Sequence, residues 1–213
     1  MRKDLTDIIC IVDKSGSMSQ VKHDTIGGFN EFLENQKKED GDANFTLVLF
    51  DSKNKIVYNG TPIQKVEPLN ETTYSPSGWT GLFDAVGIGI DTTLERRDAI
   101  PESERAANVI FAILTDGKEN KSTEYKGEVG RKMIFEKIDT QKEKGWEFIF
   151  LGANSDAIGS GQAIGITSDK IMHYVDSGQG TSDAYASNLS AAVSTVRARG
   201  KLNTEDWKTN EIR

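Results

Sequence analysis

Apolar residues fall along this chain in two alternating patterns. Six short runs have the length and the β-branched or aromatic richness of strands: Leu5 to Val12, Phe45 to Phe50, Lys55 to Asn59, Val109 to Leu114, Phe148 to Leu151 and Ile171 to Val175. Several are apolar without interruption, as strands buried on both faces should be. Between them, apolar positions recur at intervals of three and four. One stripe takes in Met18, Val21, Thr25, Ile26, Phe29 and Leu33, and the next Leu82, Ala85, Val86, Ile90 and Leu94. Two more run through Val129, Met133 and Ile138, and through Tyr185, Leu189, Val193 and Val196. Each stripe has a polar opposite face, so the spacing predicts helices that cover a sheet.

Strands and helices in this order make a doubly wound α/β domain. The one break in alternation is local: Asp51-Ser52-Lys53-Asn54 is too short for a parallel crossover, so the second and third strands form an antiparallel hairpin with one of them at an edge. The expected sheet is six-stranded and mostly parallel, with one antiparallel edge strand and helices on both faces. We expect one domain over residues 1–199 and a polar, charged C-terminal tail over 200–213 with a single tryptophan, Trp207, that is either mobile or strapped to the body.

Composition narrows the function. The formal net charge is −7 and the lysines and arginines are scattered, so the electrostatic footprint of a nucleic-acid binder is missing. No apolar run approaches a membrane span, and the first is too short for a signal-peptide core, so a cytoplasmic protein that engages no membrane is expected. The single cysteine, Cys10, lies in the most apolar stretch and reads as core.

The chemistry gathers at strand ends. Asp13-Lys14-Ser15-Gly16-Ser17 leaves the first strand with a carboxylate and two hydroxyls at alternate positions. A chain turning at Gly16 can curl Asp13, Ser15 and Ser17 around one point while Lys14 faces away, and such oxygens suit a hard cation such as Mg2+. The fourth strand ends in Leu114-Thr115-Asp116-Gly117 and brings Asp116 to the carboxyl rim beside the first strand. The turn-rich Ser75 to Gly81 runs into a helix and offers Thr80 at the same rim. Other residues have plainer readings. Asn154 and Asp156 read as helix caps, and Ser17 has that alternative too. Gly159 to Gly165 lacks the setting of a phosphate loop and reads as a connection. Glu119 and Asn120 either bond near the site or are solvated. Trp79 either meets a partner or packs under its own loop. His23 and His173 are structural or exposed.

With these residues in place, the chain resembles the von Willebrand factor A domain family, whose metal-ion-dependent adhesion site has the pattern Asp-x-Ser-x-Ser, a later Thr and a later Asp-Gly. Asp13, Ser15, Ser17, Thr80 and Asp116 match it. The one departure is Trp79, where the family usually has glycine before the threonine. The resemblance implies that Ser15 and Ser17 bind the cation directly, and that Asp13, Asp116 and Thr80 bind it directly or through water. It implies Mg2+, with Mn2+ or Ca2+ as substitutes, and an open coordination position for an Asp or Glu of a partner protein. It also implies adhesion rather than catalysis, membership of larger assemblies and, in some members, movement of the last helix. Two alternatives stay open: an Mg2+-dependent phosphohydrolase using Asp13, and a scaffold that binds its partner away from the metal site. Against the enzyme, Ser15 stands where such hydrolases usually carry a second aspartate.

Overall fold

The structure, a computed structural model, describes residues 1–175 and 177–208. Six strands form one sheet in the order β3-β2-β1-β4-β5-β6, namely β1 (Arg2–Asp13), β2 (Asp42–Phe50), β3 (Asn54–Pro62), β4 (Ala106–Thr115), β5 (Glu147–Gly152) and β6 (Ile171–His173). All neighbours are parallel except β2 and β3, which form the antiparallel hairpin at the edge. The central strands are buried on both faces, and β1 sends alternate residues to two cores. Ile8, Cys10 and Val12 meet α1 (Lys22–Lys38) and the C-terminal helices. Ile9 and Ile11 meet α2 (Leu82–Asp98) and α3 (Gly127–Glu143). Cys10 is fully buried, and that burial raises its thiol pKa far above the ordinary value.

Between β5 and β6 lies the short α4 (Ser155–Ala163). The run Gly159 to Gly165, expected to be a connection, instead supplies the second half of this helix and the turn after it. Gly161 is there because the helix rides close on Phe150, whose ring would come within 2.8 Å of an added Cβ. The last helical unit is α5 (Gly178–Asp183), a π-helical segment (Ala184–Leu189) and α6 (Ser190–Arg199). Its stripe of Tyr185, Leu189, Val193 and Val196 is buried as expected.

The stripe expected on α3 needs correction. Val129 is 72% exposed and Met133 is also exposed, whereas Gly130, Ile134, Ile138 and Gln141 face inward. The cause is Tyr125, wedged between α2 and α3. A Cβ on Gly130 would lie 1.9 Å from the Tyr125 carbonyl carbon, so only glycine fits at that contact, and facing it inward turns Val129 and Met133 out.

Beyond α6, residues 200–208 stay on the body. Leu202 and Trp207 join the core on the α1 side of the sheet. Asn188 Nδ2 donates to Trp207 O at 2.7 Å, Lys208 Nζ donates to Ser168 O at 2.9 Å, and Lys170 Nζ donates to Leu202 O. Residues 209–213 of the expected tail lie outside the described residues. Among the described residues, no helix is long and apolar enough to cross a membrane.

Candidate metal centre

β1 and β4 are adjacent and parallel, with Val12 opposite Leu114, so Asp13 and Asp116 emerge side by side at the carboxyl rim. Asp13 is fully buried. Its Oδ1 accepts from the Ser15 backbone N–H at 2.6 Å, and its Oδ2 accepts from Thr115 Oγ1 at 2.5 Å. Ser15 and Ser17 hydroxyls lie 3.2 Å apart, and Ser17 Oγ donates to Asp116 Oδ1 at 2.8 Å. Asp13, Ser15, Ser17 and Asp116 thus converge in one chain of hydrogen-bond contacts. Thr80 is nearly buried beside them, with Oγ1 3.1 Å from the place a Cβ on Gly117 would take.

Electrostatics show what the cluster lacks. Burial pushes the Asp13 carboxyl up to about 7 and the nearby Asp116 charge adds to the rise, while the hydrogen bonds from Thr115 and Ser15 oppose it. Among the described residues no basic side chain pairs with Asp13. The adjacent Lys14 is turned to Asp51 and pairs with it. Burial works to raise the Asp51 carboxyl, but Lys14 prevails and holds it below its ordinary value. The donor set of carboxylates and hydroxyls, without histidine or cysteine, suits a hard divalent cation. Among the described residues no group of three or more His, Cys, Asp or Glu is placed to hold a metal ion, so oxygens other than carboxylates would complete a coordination sphere here.

A framework of supports fixes these side chains. Tyr74 OH donates to Asp13 O at 2.6 Å, and Asn154 Nδ2 donates to Asp116 O. Asn154 also caps α4, its Oδ1 accepting from Ala157 N at 2.9 Å, so the expected cap has a second duty at the site. Asp156, the other expected cap, lies in the first turn of α4 and pairs with Lys118 at 3.6 Å. The Thr80 loop is held by Asn120, whose Oδ1 accepts from Thr80 N at 2.9 Å and whose N–H donates to Thr80 O at 3.0 Å. Glu119 accepts from Phe83 N at 2.9 Å and so caps α2, the helix that follows Thr80. Glu119, half-buried, and Asn120, exposed, therefore both brace the site's loop. Trp79 is 64% exposed and does not pack under its loop. His23 is exposed, and His173 bonds Ala153 O at 3.1 Å. Reasoning from sequence missed the roles of Thr115, Tyr74 and Asn154; the Thr115-Asp116-Gly117 run was a signal for the first, since a hydroxyl at a strand's end faces the neighbouring strand's end.

Solved structures with this fold include the vWF domain of the type V pili tip protein of Porphyromonas gingivalis, with TM-score 0.64 and 10% identity over 93% of this chain and 98% of that one. Proximal thread matrix protein 1 of the mussel byssus, solved with a zinc-occupied MIDAS motif, has TM-score 0.55 and 17% identity over 82% of this chain but only 42% of that one. The chain thus spans less than half the length of the mussel protein. The manganese-loaded TRAP protein of Plasmodium vivax has TM-score 0.54 and 14% identity over 87% of this chain and 75% of that one. Comparison with curated protein sequences finds no significant match. The family model for the von Willebrand factor type A domain matches residues 7–188, a span that contains every residue of the oxygen cluster, and the chain belongs to that family.

Proposed function

We propose that the chain is a metal-dependent protein-binding module. In this reading Asp13, Ser15, Ser17, Thr80 and Asp116 hold a divalent cation, with Mg2+ as the resident ion and Mn2+ or Ca2+ as substitutes. The observation that carries it is the convergence of a fully buried aspartate, a second aspartate and two serine hydroxyls at one point of the sheet's carboxyl rim. Two carboxylates held this close repel, and a cation between them removes that cost. The zinc-occupied motif of the mussel protein and the manganese-loaded Plasmodium protein support a divalent ion in this fold.

When bound, the cation supplies an electrophilic open position that takes a carboxylate oxygen from an Asp or Glu of a partner protein. The chain's own residues prepare that event. Thr115 and the Ser15 N–H orient the Asp13 oxygens, and Ser17 fixes Asp116. Neutral hydroxyls among the ligands leave positive charge for the partner's carboxylate. Ser15 supports binding over turnover, since it stands where an aspartyl-phosphate enzyme needs a second carboxylate as acid and base.

The test is calorimetric titration with Mg2+ and Mn2+, followed by partner capture in Mg2+, in EDTA and with Asp13→Ala. The expected result is saturable metal binding that the substitution abolishes, and capture lost in both controls. Partner binding that persists in EDTA and survives Asp13→Ala overturns the proposal.

A further inference from the structure

Of the three tryptophans, Trp146 and Trp207 are buried, while the Trp79 indole is 64% exposed immediately before Thr80. An exposed apolar side chain alone needs no explanation. Here the backbone that carries it is tied to the rest of the protein on both sides. Ser77 N donates to Lys14 O at 2.8 Å and Gly16 N to Gly78 O at 3.1 Å, which ties the Trp79 loop to the Asp13–Ser17 turn. Trp79 N donates to Ser52 Oγ at 2.9 Å, Thr80 N to Asn120 Oδ1 at 2.9 Å and Gly81 N to Asp51 O at 2.8 Å. Gly78 takes φ +71° so that the chain can turn tightly over Ser52, whose Oγ lies 2.7 Å from where a Cβ would be. The backbone on both sides of the indole is therefore bonded to three other segments of the protein.

Lysines flank the segments that hold this loop, and one of them, Lys118, pairs with Asp156 at 3.6 Å. Lys53 follows the serine that holds the Trp79 amide, Lys121 follows Asn120 and donates its backbone N–H to Thr80 O at 3.2 Å, and Lys118 stands one residue beyond Gly117. All three are exposed, in a chain whose formal net charge is −7. Glu119, the acidic residue among them, is spent on capping α2.

We infer that Trp79 is the specificity-determining contact of the metal site, and that the partner presents an extended acidic segment with an apolar residue one or two positions from the carboxylate that meets the cation. The inference rests on the proposed metal-dependent binding. Trp79 and Thr80 are consecutive, with Cα atoms about 3.8 Å apart. In an extended segment, residues two apart are separated by roughly 7 Å, so a side chain beside the metal-bound carboxylate can lie on the indole. A cation accepts any accessible carboxylate; an indole carried on an anchored backbone beside it distinguishes one acidic segment from another by what stands next to the acid. Tryptophan is among the residues that carry most of the binding energy at the centre of an interface. The lysines favour further acidic residues in the segment and speed its approach.

The experiment selects displayed peptides with a fixed central Asp and random flanks against the full chain in Mg2+, then measures their affinity for the parent, Trp79→Ala, Trp79→Phe and Asp13→Ala proteins. The expected result is enrichment of an apolar residue one or two positions from the Asp, with a loss of about tenfold or more in affinity for Trp79→Ala. Trp79→Phe should recover part of it, and Mg2+ affinity should stay unchanged in both variants. Because the other two indoles are buried, peptide binding should also blue-shift tryptophan emission in the parent and not in Trp79→Ala. Peptides that need Mg2+ and Asp13 but bind Trp79→Ala equally well, with no apolar preference, overturn this inference and leave the metal-dependent function standing. Peptides that bind without Mg2+, or no enrichment in Mg2+, overturn both.

Discussion

The hydroxyl of Thr115 donates to Asp13 Oδ2 at 2.5 Å and accepts from Gly117 N at 3.1 Å, so one side chain orients a buried carboxylate and shapes the turn that carries Asp116. Valine keeps its shape and removes the hydroxyl. Thr115→Val should cost about 1–3 kcal/mol, because it strips a buried acceptor of its donor. It should also lower Mg2+ affinity about 10–100-fold, as loss of a supporting hydrogen bond to a metal ligand does. Urea unfolding and calorimetric titration read the two effects separately; unchanged Mg2+ affinity would reduce Thr115 to a structural role. The five candidate ligands were legible in the sequence because they occupy strand ends and turns in a recognisable order. Their supports were not. Tyr74 and Asn154 reach the site through side-chain bonds across segments far apart in the chain, to Asp13 O and Asp116 O, and no spacing rule encodes such bonds.

At the scale of elements, all six strands and the antiparallel edge could be read from apolar runs, since β-branched density and a four-residue hairpin connection are local properties. Helix α3 could not be oriented the same way. Its sequence holds apolar residues on more than one face, and the choice between them was made by Tyr125, which demands Gly130 at the contact. The consequence is testable. Met133→Lys should change stability by no more than about 0.5 kcal/mol, because the side chain already faces water. Ile134→Ala, one residue on, should cost about 2–5 kcal/mol, because Ile134 is fully buried. Denaturant midpoints at unchanged slope decide it, and the reverse order would restore the stripe through Val129 and Met133.

For the whole molecule, a cation that binds only the folded state must stabilise it by mass action. At a Mg2+ concentration 100 times the dissociation constant the gain should be about 2.7 kcal/mol in the parent and absent in Asp13→Ala. Thermal unfolding with and without EDTA measures it. The extent of the cooperative unit is a separate question, because the family match ends at residue 188 while the packed core does not. Trp207 is fully buried, shares a core with Phe29, Tyr185 and Val193, and receives a 2.7 Å hydrogen bond on its carbonyl from Asn188 in the π-helical segment. A polar stretch with one aromatic gives no periodicity from which to read such docking; the indole is placed by contacts that exist only once the helices are assembled. We therefore assign residues 200–208 to the folded domain. Trp207→Ala should lower the denaturant midpoint by the equivalent of about 3–5 kcal/mol, the usual cost of emptying a buried aromatic site. Because the hydrogen bond that Trp207 accepts comes from Asn188 and not from an oxygen ligand, Mg2+ affinity of the folded variant should match the parent. A midpoint unchanged by Trp207→Ala would place the boundary of the cooperative fold before residue 200.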